Sequence, residues 1–350
     1  PLEAVARGAR LAEPSPAPLA PARILPPMRW DRQFYLIGQT NEAYGIYGPS
    51  FGGAPLHPLI GTRLAPGGSE WRQILSLETH PHLAGHKVDG EAILPATAFL
   101  EMVSAVGREV HGTGRLRILD LDILRPMNFE PGAGREVSLL WHEADRLVEI
   151  RSRARLEPAN SFVLHARGLV LPEVAATPAP GEWPAQGLVQ DAAAIYAATR
   201  RCRMGYEGAF RAARSARICG DVIVTELMPQ PADIGFFSDV QLLDPPSYDA
   251  AFHAIFLGVP VTPGQVLGEL PVRMARLSLY RPGTSVHRAV TRLVRQTADA
   301  RVFDVTMLSA EGEVVAEGQG VVMRRLIIST WREADRILRT RLIPWEAGAR

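Results

Sequence analysis

The chain has 350 residues, 47% of them hydrophobic and 21% charged, with 38 basic against 37 acidic side chains and only two cysteines, Cys202 and Cys219. The length predicts about two domains of roughly 150 residues, and a net charge of +1 removes the clustered basic excess that a nucleic-acid binder requires. Two thiols cannot staple a secreted scaffold and no apolar run approaches the roughly 20 residues of a membrane span, so a cytoplasmic protein that binds neither nucleic acid nor membrane is expected.

Residues 1–27 hold seven prolines and no helix or strand periodicity, which predicts an extended linker. They lack the apolar core of a signal peptide, and Glu3 and Glu13 argue against a transit peptide. With no initiator Met, the sequence is read as cut from a longer polypeptide. Trp71 to Thr79 alternates like a strand, and the apolar-periodic run Ala96 to Val110, behind Pro95, predicts a helix with proline at its first turn. Strand-like runs follow at 116–124, 136–142, 147–156 and 161–171.

The breaker-rich stretch Pro172 to Pro184 then divides the chain into two pieces. The second piece predicts a helix over 191–201, a strand over 222–227, and a second helix over 247–257. Further strands are expected over 272–280, 287–295, 301–308 and 314–324. Each piece thus has one principal helix and several strands joined by short turns. A sheet solvated on one face buries the other, and one helix per sheet does so. The expected class is α+β, two curved antiparallel sheets each around a central helix, with no residue-level repeat between them.

Two constellations could carry chemistry. In the first, His86 is followed by Gly90 and by Pro95, and the imidazole lies between a strand and the helix that Pro95 opens. A histidine there can act as a base near neutral pH. Gly90 offers no Cβ to obstruct a ligand, and a backbone N–H near it or at the helix start could polarise a carbonyl. In the second, Asp249 and His253 are four residues apart, on one face of the predicted helix. Among Tyr248, Ala250, Ala251 and Phe252 the carboxyl is expected in apolar surroundings, which favour its protonated, proton-donating form. Taken singly, His86 reads as a loop histidine, and Asp249 equally as a residue favouring the helix dipole.

Together, His86-x-x-x-Gly90-x-x-x-x-Pro95 and Asp249-x-x-x-His253 resemble the dehydratase domains of modular type I polyketide synthases. His57-Pro58-Leu59-Ile60-Gly61 resembles the family's opening motif, and Leu94-Pro95-Ala-Thr-Ala-Phe-Leu-Glu101 the start of its central helix. His165-Ala-Arg-Gly168 and Leu270-Pro271 resemble later segments. Leu25-Pro26 and Trp30-Asp-Arg32-Gln-Phe-Tyr35 resemble the linker after an acyltransferase domain.

The resemblance implies a double hotdog fold, with residues 1–53 as the post-acyltransferase linker, 54–172 the first hotdog, 173–189 a connection, 190–332 the second hotdog, and 333–350 the start of a further linker. It implies dehydration of a β-hydroxyacyl thioester on the phosphopantetheine of an acyl carrier protein, without other cofactor or metal, in a homodimer beside neighbouring synthase domains. His86 would be the base and Asp249 the acid, with His253 orienting Asp249 and Tyr206 holding the hydroxyl.

Two departures stand out. The family's Tyr-Gly-Pro-x-Phe reads Tyr206-Glu-Gly-Ala-Phe210 here, while the literal match Tyr47-Gly-Pro-Ser-Phe51 falls in the linker and is read as a decoy. Asp244 stands where the family has His, and Tyr248 where it has Leu, so a phenol beside the acid could reshape the pocket. The same dyad would also serve a double-bond isomerase or cyclase. A non-catalytic dimerising scaffold and a hotdog thioesterase are the weaker alternatives.

Other candidates carry less. His80, His82 and His86 invite a metal site, but Pro81 and the lack of nearby Cys or acidic ligands oppose it. His142 and His165 read as surface or satisfied core residues, and the two cysteines as free thiols. Arg200, Arg201 and Arg203 form a solvated face that could meet an acidic carrier protein. Lys87 is the only lysine, and the arginine excess reads as codon usage in a GC-rich bacterial genome.

Overall fold

The computed structural model describes residues 57–155, 161–229, 240–260 and 267–327. The segments read as terminal linkers, 1–53 and 333–350, lie outside these residues, as does Tyr47–Phe51.

The first half runs β1 (Thr62–Arg63), β2 (Glu70–Leu75), a 3-10 turn (Pro81–Gly85), β3 (His86–Val88), β4 (Glu91–Ile93), α1 (Ala96–His111), β5 (Leu116–Ile123), β6 (Asn128–Phe129), β7 (Arg135–His142), β8 (Leu147–Ala154) and β9 (Val163–Pro172). The second half runs β10 (Leu188–Asp191), α2 (Ala192–Arg201), β11 (Met204–Tyr206), a 3-10 turn (Gly208–Phe210), β12 (Ala213–Cys219) and β13 (Val222–Leu227). It continues with α3 (Pro245–Ala250), a second 3-10 segment (His253–Gly258), β14 (Leu267–Leu279), β15 (Arg288–Gln296), β16 (Ala300–Leu308) and β17 (Val314–Ile327).

Period-two burial builds the sheets. In β8, Val148, Ile150 and Ser152 turn inward while their neighbours are less buried, and in β16 Arg301, Phe303, Val305 and Met307 do the same. The core helix α1 is buried on every side from Thr97 to Gly107 and lies on β5 and β9. Pro95 precedes it with φ −66°, the value a helix start needs. In the second half the 3-10 segment carrying His253 packs on β12 and β13.

The two halves join edge to edge. The order β1-β2-β7-β8-β9-β5-β14-β17-β16-β15-β13-β12-β10 makes one 13-stranded antiparallel sheet, with β5 and β14 at the seam from Leu116↔Leu279 to Asp122↔Arg273. A second sheet, β11-β3-β4-β6, takes three strands from the first half and one from the second. This is the double hotdog expected from the sequence. β10 begins at Leu188, inside the span 173–189 read as the connection.

One expected element breaks. In place of one helix over 247–257, a six-residue α-helix begins earlier, at Pro245, and is followed by a turn at Ala251–Phe252 and a separate 3-10 segment, His253–Gly258. Side chains from the sheet take carbonyls that a continuous helix would use. Thr291 Oγ1 donates to Ala251 O at 3.3 Å, and the Arg301 guanidinium to Ile255 O at 3.0 Å.

Candidate active site

β3, only three residues long, is held on both sides. On one side the two-residue turn Asp89–Gly90 leads into β4, with φ +52° and +84°. Positive φ at both positions is the hairpin geometry that Asp-Gly favours. Gly90 is therefore required for its dihedral, at an exposed tip, and a Cβ there would meet no protein atom within 4 Å. On the other side β11 pairs in the register Tyr206↔His86, Gly205↔Lys87, Met204↔Val88. Asp89 N donates to Arg203 O, and Lys87 Nζ lies 2.9 Å from both Glu207 oxygens.

Just before His86, Glu207 N donates to Gly85 O at 2.8 Å, and a Cβ on Gly85 would fall 2.5 Å from the Glu207 carbonyl oxygen. No side chain fits in that gap. The strand carrying His86 is thus stitched to the second half from Gly85 to Asp89.

The His86 ring is 6% exposed and lies between Tyr206 and Phe210, with both ring centroids 5.5 Å away. Its Nδ1 is 2.8 Å from Ile93 O. A carbonyl only accepts, so Nδ1 donates there and Nε2 is the nitrogen left to face the site. Nε2 is 3.9 Å from Asp249 Oδ2, too far for a hydrogen bond and close enough for both groups to reach adjacent carbons of one substrate.

Asp249 rides on α3, which starts at Asp244-Pro-Pro. Asp244 Oδ2 accepts from Ser247 N at 3.2 Å and from the Ser247 hydroxyl, an N-cap followed by two prolines at the first helical positions. Burial raises the Asp244 carboxyl above its ordinary pKa, against the hydrogen bonds from Ser247, which lower it.

The Asp249 carboxyl group meets His253 Nε2 at 2.9 Å, so the spacing of four survives the helix break. His253 is 1% exposed, and burial outweighs the Asp249 bond in lowering its pKa. A neutral ring donating from Nε2 leaves Nδ1 as a bare acceptor, and Nδ1 indeed has no partner among the described residues. Tyr206 stacks on this ring at 3.7 Å and 31°. Burial, then the Asp249 charge, pushes the Tyr206 phenol well above its usual pKa, which keeps it a donor.

The structure thus brings together His86, Asp249, Tyr206, Phe210 and His253. Pro95 is buried at the head of α1, with its carbonyl accepting from Ala98 N. Tyr248 is fully buried, and burial, with the charges of Glu101 and Asp244 adding to it, raises the pKa of its phenol.

Two residues were not singled out in the sequence. Gly85 is one, and its requirement comes from Glu207. The other is Tyr196 on α2, whose hydroxyl accepts from Ala213 N at 2.9 Å and whose ring meets both Tyr206 and His253 edge-on. A lone tyrosine among the alanines of 192–198 was its only signal.

Two other histidines are held by their neighbours. His80 bonds Thr79 Oγ1 and Pro58 O at 2.8 and 3.0 Å, and His142 bonds Glu149 at 3.0 Å. Among the described residues no group of three His, Cys, Asp or Glu could hold a metal ion, and no helix is long and apolar enough to cross a membrane. Both cysteines are free thiols.

Residues 57–153 match the family model described as the polyketide synthase dehydratase domain, and residues 175–328 the one described as the polyketide synthase dehydratase N-terminal domain. Polyketide synthase GfsA of Streptomyces halstedii is 29% identical over 331 residues, which are 90% of this chain and 4% of that protein. The chain therefore spans a small fraction of such a relative.

Among solved structures, a trans-AT polyketide synthase dehydratase domain from Brevibacillus brevis superposes with a TM-score of 0.67 at 18% identity, covering 78% of this chain and all of that one. An isomerase-inactive variant of the GphF DH1 dehydratase domain gives 0.66 at 22%, covering 77% of this chain and 96% of that one. Both share the fold.

Proposed function

Because the chain belongs to the polyketide synthase dehydratase family, we propose that it dehydrates a β-hydroxyacyl thioester borne on the phosphopantetheine of an acyl carrier protein. One observation carries the reading: His86 Nε2, on a ring fixed by the Nδ1 bond to the Ile93 carbonyl, faces the Asp249 carboxyl at 3.9 Å. Nε2 takes the proton from the α-carbon, and its electron pair becomes the new Cα–Cβ bond. The Cβ–O bond breaks, and Asp249, entering the cycle as the carboxylic acid, gives its proton to the hydroxyl, which leaves as water; the proton taken up by His86 restores the acid afterwards. The thioester oxygen gathers charge as the α-proton departs, and a backbone N–H near Gly90 or at the start of α1 would stabilise it.

His253, donating to Oδ2, holds Asp249 in place, and the Tyr206 phenol would donate to the substrate hydroxyl. None of these steps calls on a metal or redox group. The acyl carrier protein, neighbouring synthase domains and a homodimer partner belong to this proposal. The test is to incubate the chain with a β-hydroxyacyl carrier protein, or with a short β-hydroxyacyl thioester, and follow loss of water by mass. Unchanged mass across chain lengths, or full activity after His86→Ala, overturns it.

A second reading is motivated by the GphF neighbour, whose name reports a lost isomerase activity. The same base and acid can remove a γ-proton and return one at the α-carbon, moving the double bond. Deuterium uptake at the γ-carbon of an unsaturated thioester, followed by NMR, separates this outcome from simple elimination.

A further inference from the structure

Two residues in the segments that resemble family motifs have no part in the proposed chemistry. They are His57, at the opening of the first half, and Glu101, six residues beyond Pro95, and they meet each other. His57 Nε2 lies 2.8 Å from Glu101 Oε1, and both side chains are fully buried. His57 Nδ1 accepts from Leu59 N at 3.1 Å, so Nε2 carries the proton and donates to the carboxylate.

The other contacts of Glu101 cross to the second half, where Leu242 N donates to Oε1 at 2.8 Å and Leu243 N to Oε2 at 3.0 Å. One turn earlier on α1, Thr97 Oγ1 donates to Pro245 O at 2.9 Å. Residues 97 and 101 share one face of α1, so two side chains of the first half's helix grip residues 242–245 of the second. That stretch leads straight into α3, and Asp249 follows four residues after Pro245.

A carboxylate is an acceptor only, with room for several donors, and here three N–H groups converge on one that is closed to water. From this we infer that Glu101 is a positioning residue for Asp249: it fixes the segment that starts α3, and so sets the carboxyl 3.9 Å from His86. His57 in turn fixes the rotamer of Glu101. The inference rests on the dehydratase reading for its kinetic consequence and on geometry alone for its structural one.

Glu101→Gln keeps the shape and replaces one oxygen by an NH2 that must face an N–H, donor against donor. A displaced α3 misplaces the acid, and a misplacement of about 1 Å costs on the order of a hundredfold. The test is a double-mutant cycle of Glu101→Gln with Asp249→Asn in single-turnover assays on a β-hydroxyacyl thioester, together with a crystal structure of Glu101→Gln.

The expected result is a loss in kcat of about 10- to 100-fold with KM changed less than about twofold. In the Asp249→Asn background the same substitution should cost less than about twofold, because the group it positions is already gone. In the crystal the His86–Asp249 separation should widen. An equal penalty in both backgrounds, no penalty at all, or an unmoved Asp249 overturns the inference.

Should Glu101→Gln fail to fold, Thr97→Val, which removes only the bond to Pro245 O, runs through the same cycle with a smaller expected loss and the same overturning outcomes. A wild-type chain without turnover counts against the dehydratase reading alone, and the crystallographic comparison still decides the positioning.

Discussion

Tyr206 sits directly across the β3–β11 ladder from His86, so the two halves of the chain meet at the proposed base rather than only at the seam of the large sheet. The proposed acid also comes from the second half, which makes the pairing of β3 with β11 the element that sets its geometry. Gly85 allows that pairing. A methyl group there would sit 2.5 Å from the Glu207 backbone oxygen, and backbone cannot swing aside as a side chain end does.

Gly85→Ala is therefore expected to lower stability by about 1–3 kcal/mol and to depress kcat more than KM, because β3 moves relative to α3. Urea unfolding and steady-state kinetics on the soluble variant check both. Wild-type stability would show that β11 yields without cost.

Behind His253 lies a second buried ion pair. The Arg301 guanidinium bonds the Glu269 carboxylate, with Nε 2.8 Å from Oε2, and Arg325 Nε adds a contact at 3.1 Å. Glu269 is fully buried and Arg301 4% exposed. Arg301 also holds Ile255 O, in the 3-10 segment that begins at His253. Removing one partner of such a pair leaves uncompensated charge in the core, at a cost of about 3–5 kcal/mol. Glu269→Gln should show that loss in chemical denaturation. Arg301→Met should also lower kcat in the folded fraction by freeing the His253 segment. Denaturation curves within about 0.5 kcal/mol of wild type would place the pair among the dispensable ones.

The parts legible in the sequence are those with length and period. α1 was readable from Pro95 and its apolar run. The long strands of both halves were readable because one face of each is buried, and that face writes alternation into the residues. The site strands β3, β4 and β11 are three residues each, too short to carry a period, and β3 is held to β11 by pairing between residues about 120 positions apart. Gly85 illustrates the limit, since its lack of a Cβ matters only once Glu207 is against it. The break between Asp249 and His253 was hidden for a related reason: the groups that cap Ala251 and Ile255 arrive from β15 and β16. The spacing of Asp249 and His253 still gave the right contact, because Ala251 and Phe252 keep right-handed helical dihedrals across the break.

Tyr248 offers a test in the opposite direction. Its hydroxyl is buried and has no hydrogen-bond partner among the described residues, and the charges acting on it are Glu101 and Asp244 rather than the dyad. An unpaired buried hydroxyl costs about 1–3 kcal/mol. Tyr248→Phe should raise the stability of the protein by about 1 kcal/mol and leave kcat within about twofold of wild type. Thermal unfolding and kinetics measure this. A large fall in kcat would instead place the phenol in the substrate tunnel.

The last prediction concerns acid. His165 is 3% exposed and belongs to a directional chain of bonds. Arg135 Nε donates to Ser152 Oγ at 3.0 Å, the Ser152 hydroxyl donates to His165 Nε2 at 2.7 Å, and Nδ1 donates to Arg125 O at 3.3 Å. In this direction the ring is neutral and accepts at Nε2; a protonated ring would donate to Ser152 Oγ instead and leave the Ser152 hydroxyl hydrogen without this acceptor. Burial, with the Arg135 and Arg125 charges adding to it and the Arg125 and Pro126 carbonyls opposing, lowers the pKa from 6.5 to about 4.

The folded state thus binds this proton less readily than the unfolded state. The stabilising contribution is complete above about pH 6.5 and is lost progressively as pH falls from there to about 4, on the order of 3 kcal/mol in all. His80 and His253, also lowered by burial, act in the same direction, while Asp244, raised by burial, offsets part of the effect. Urea midpoints should therefore fall between about pH 7 and about pH 4.5. His165→Gln, less stable at neutral pH, should show a shallower decline. A wild-type profile that stays flat over that range would mean that His165 is protonated in the fold, and that the bond chain from Arg135 runs the other way.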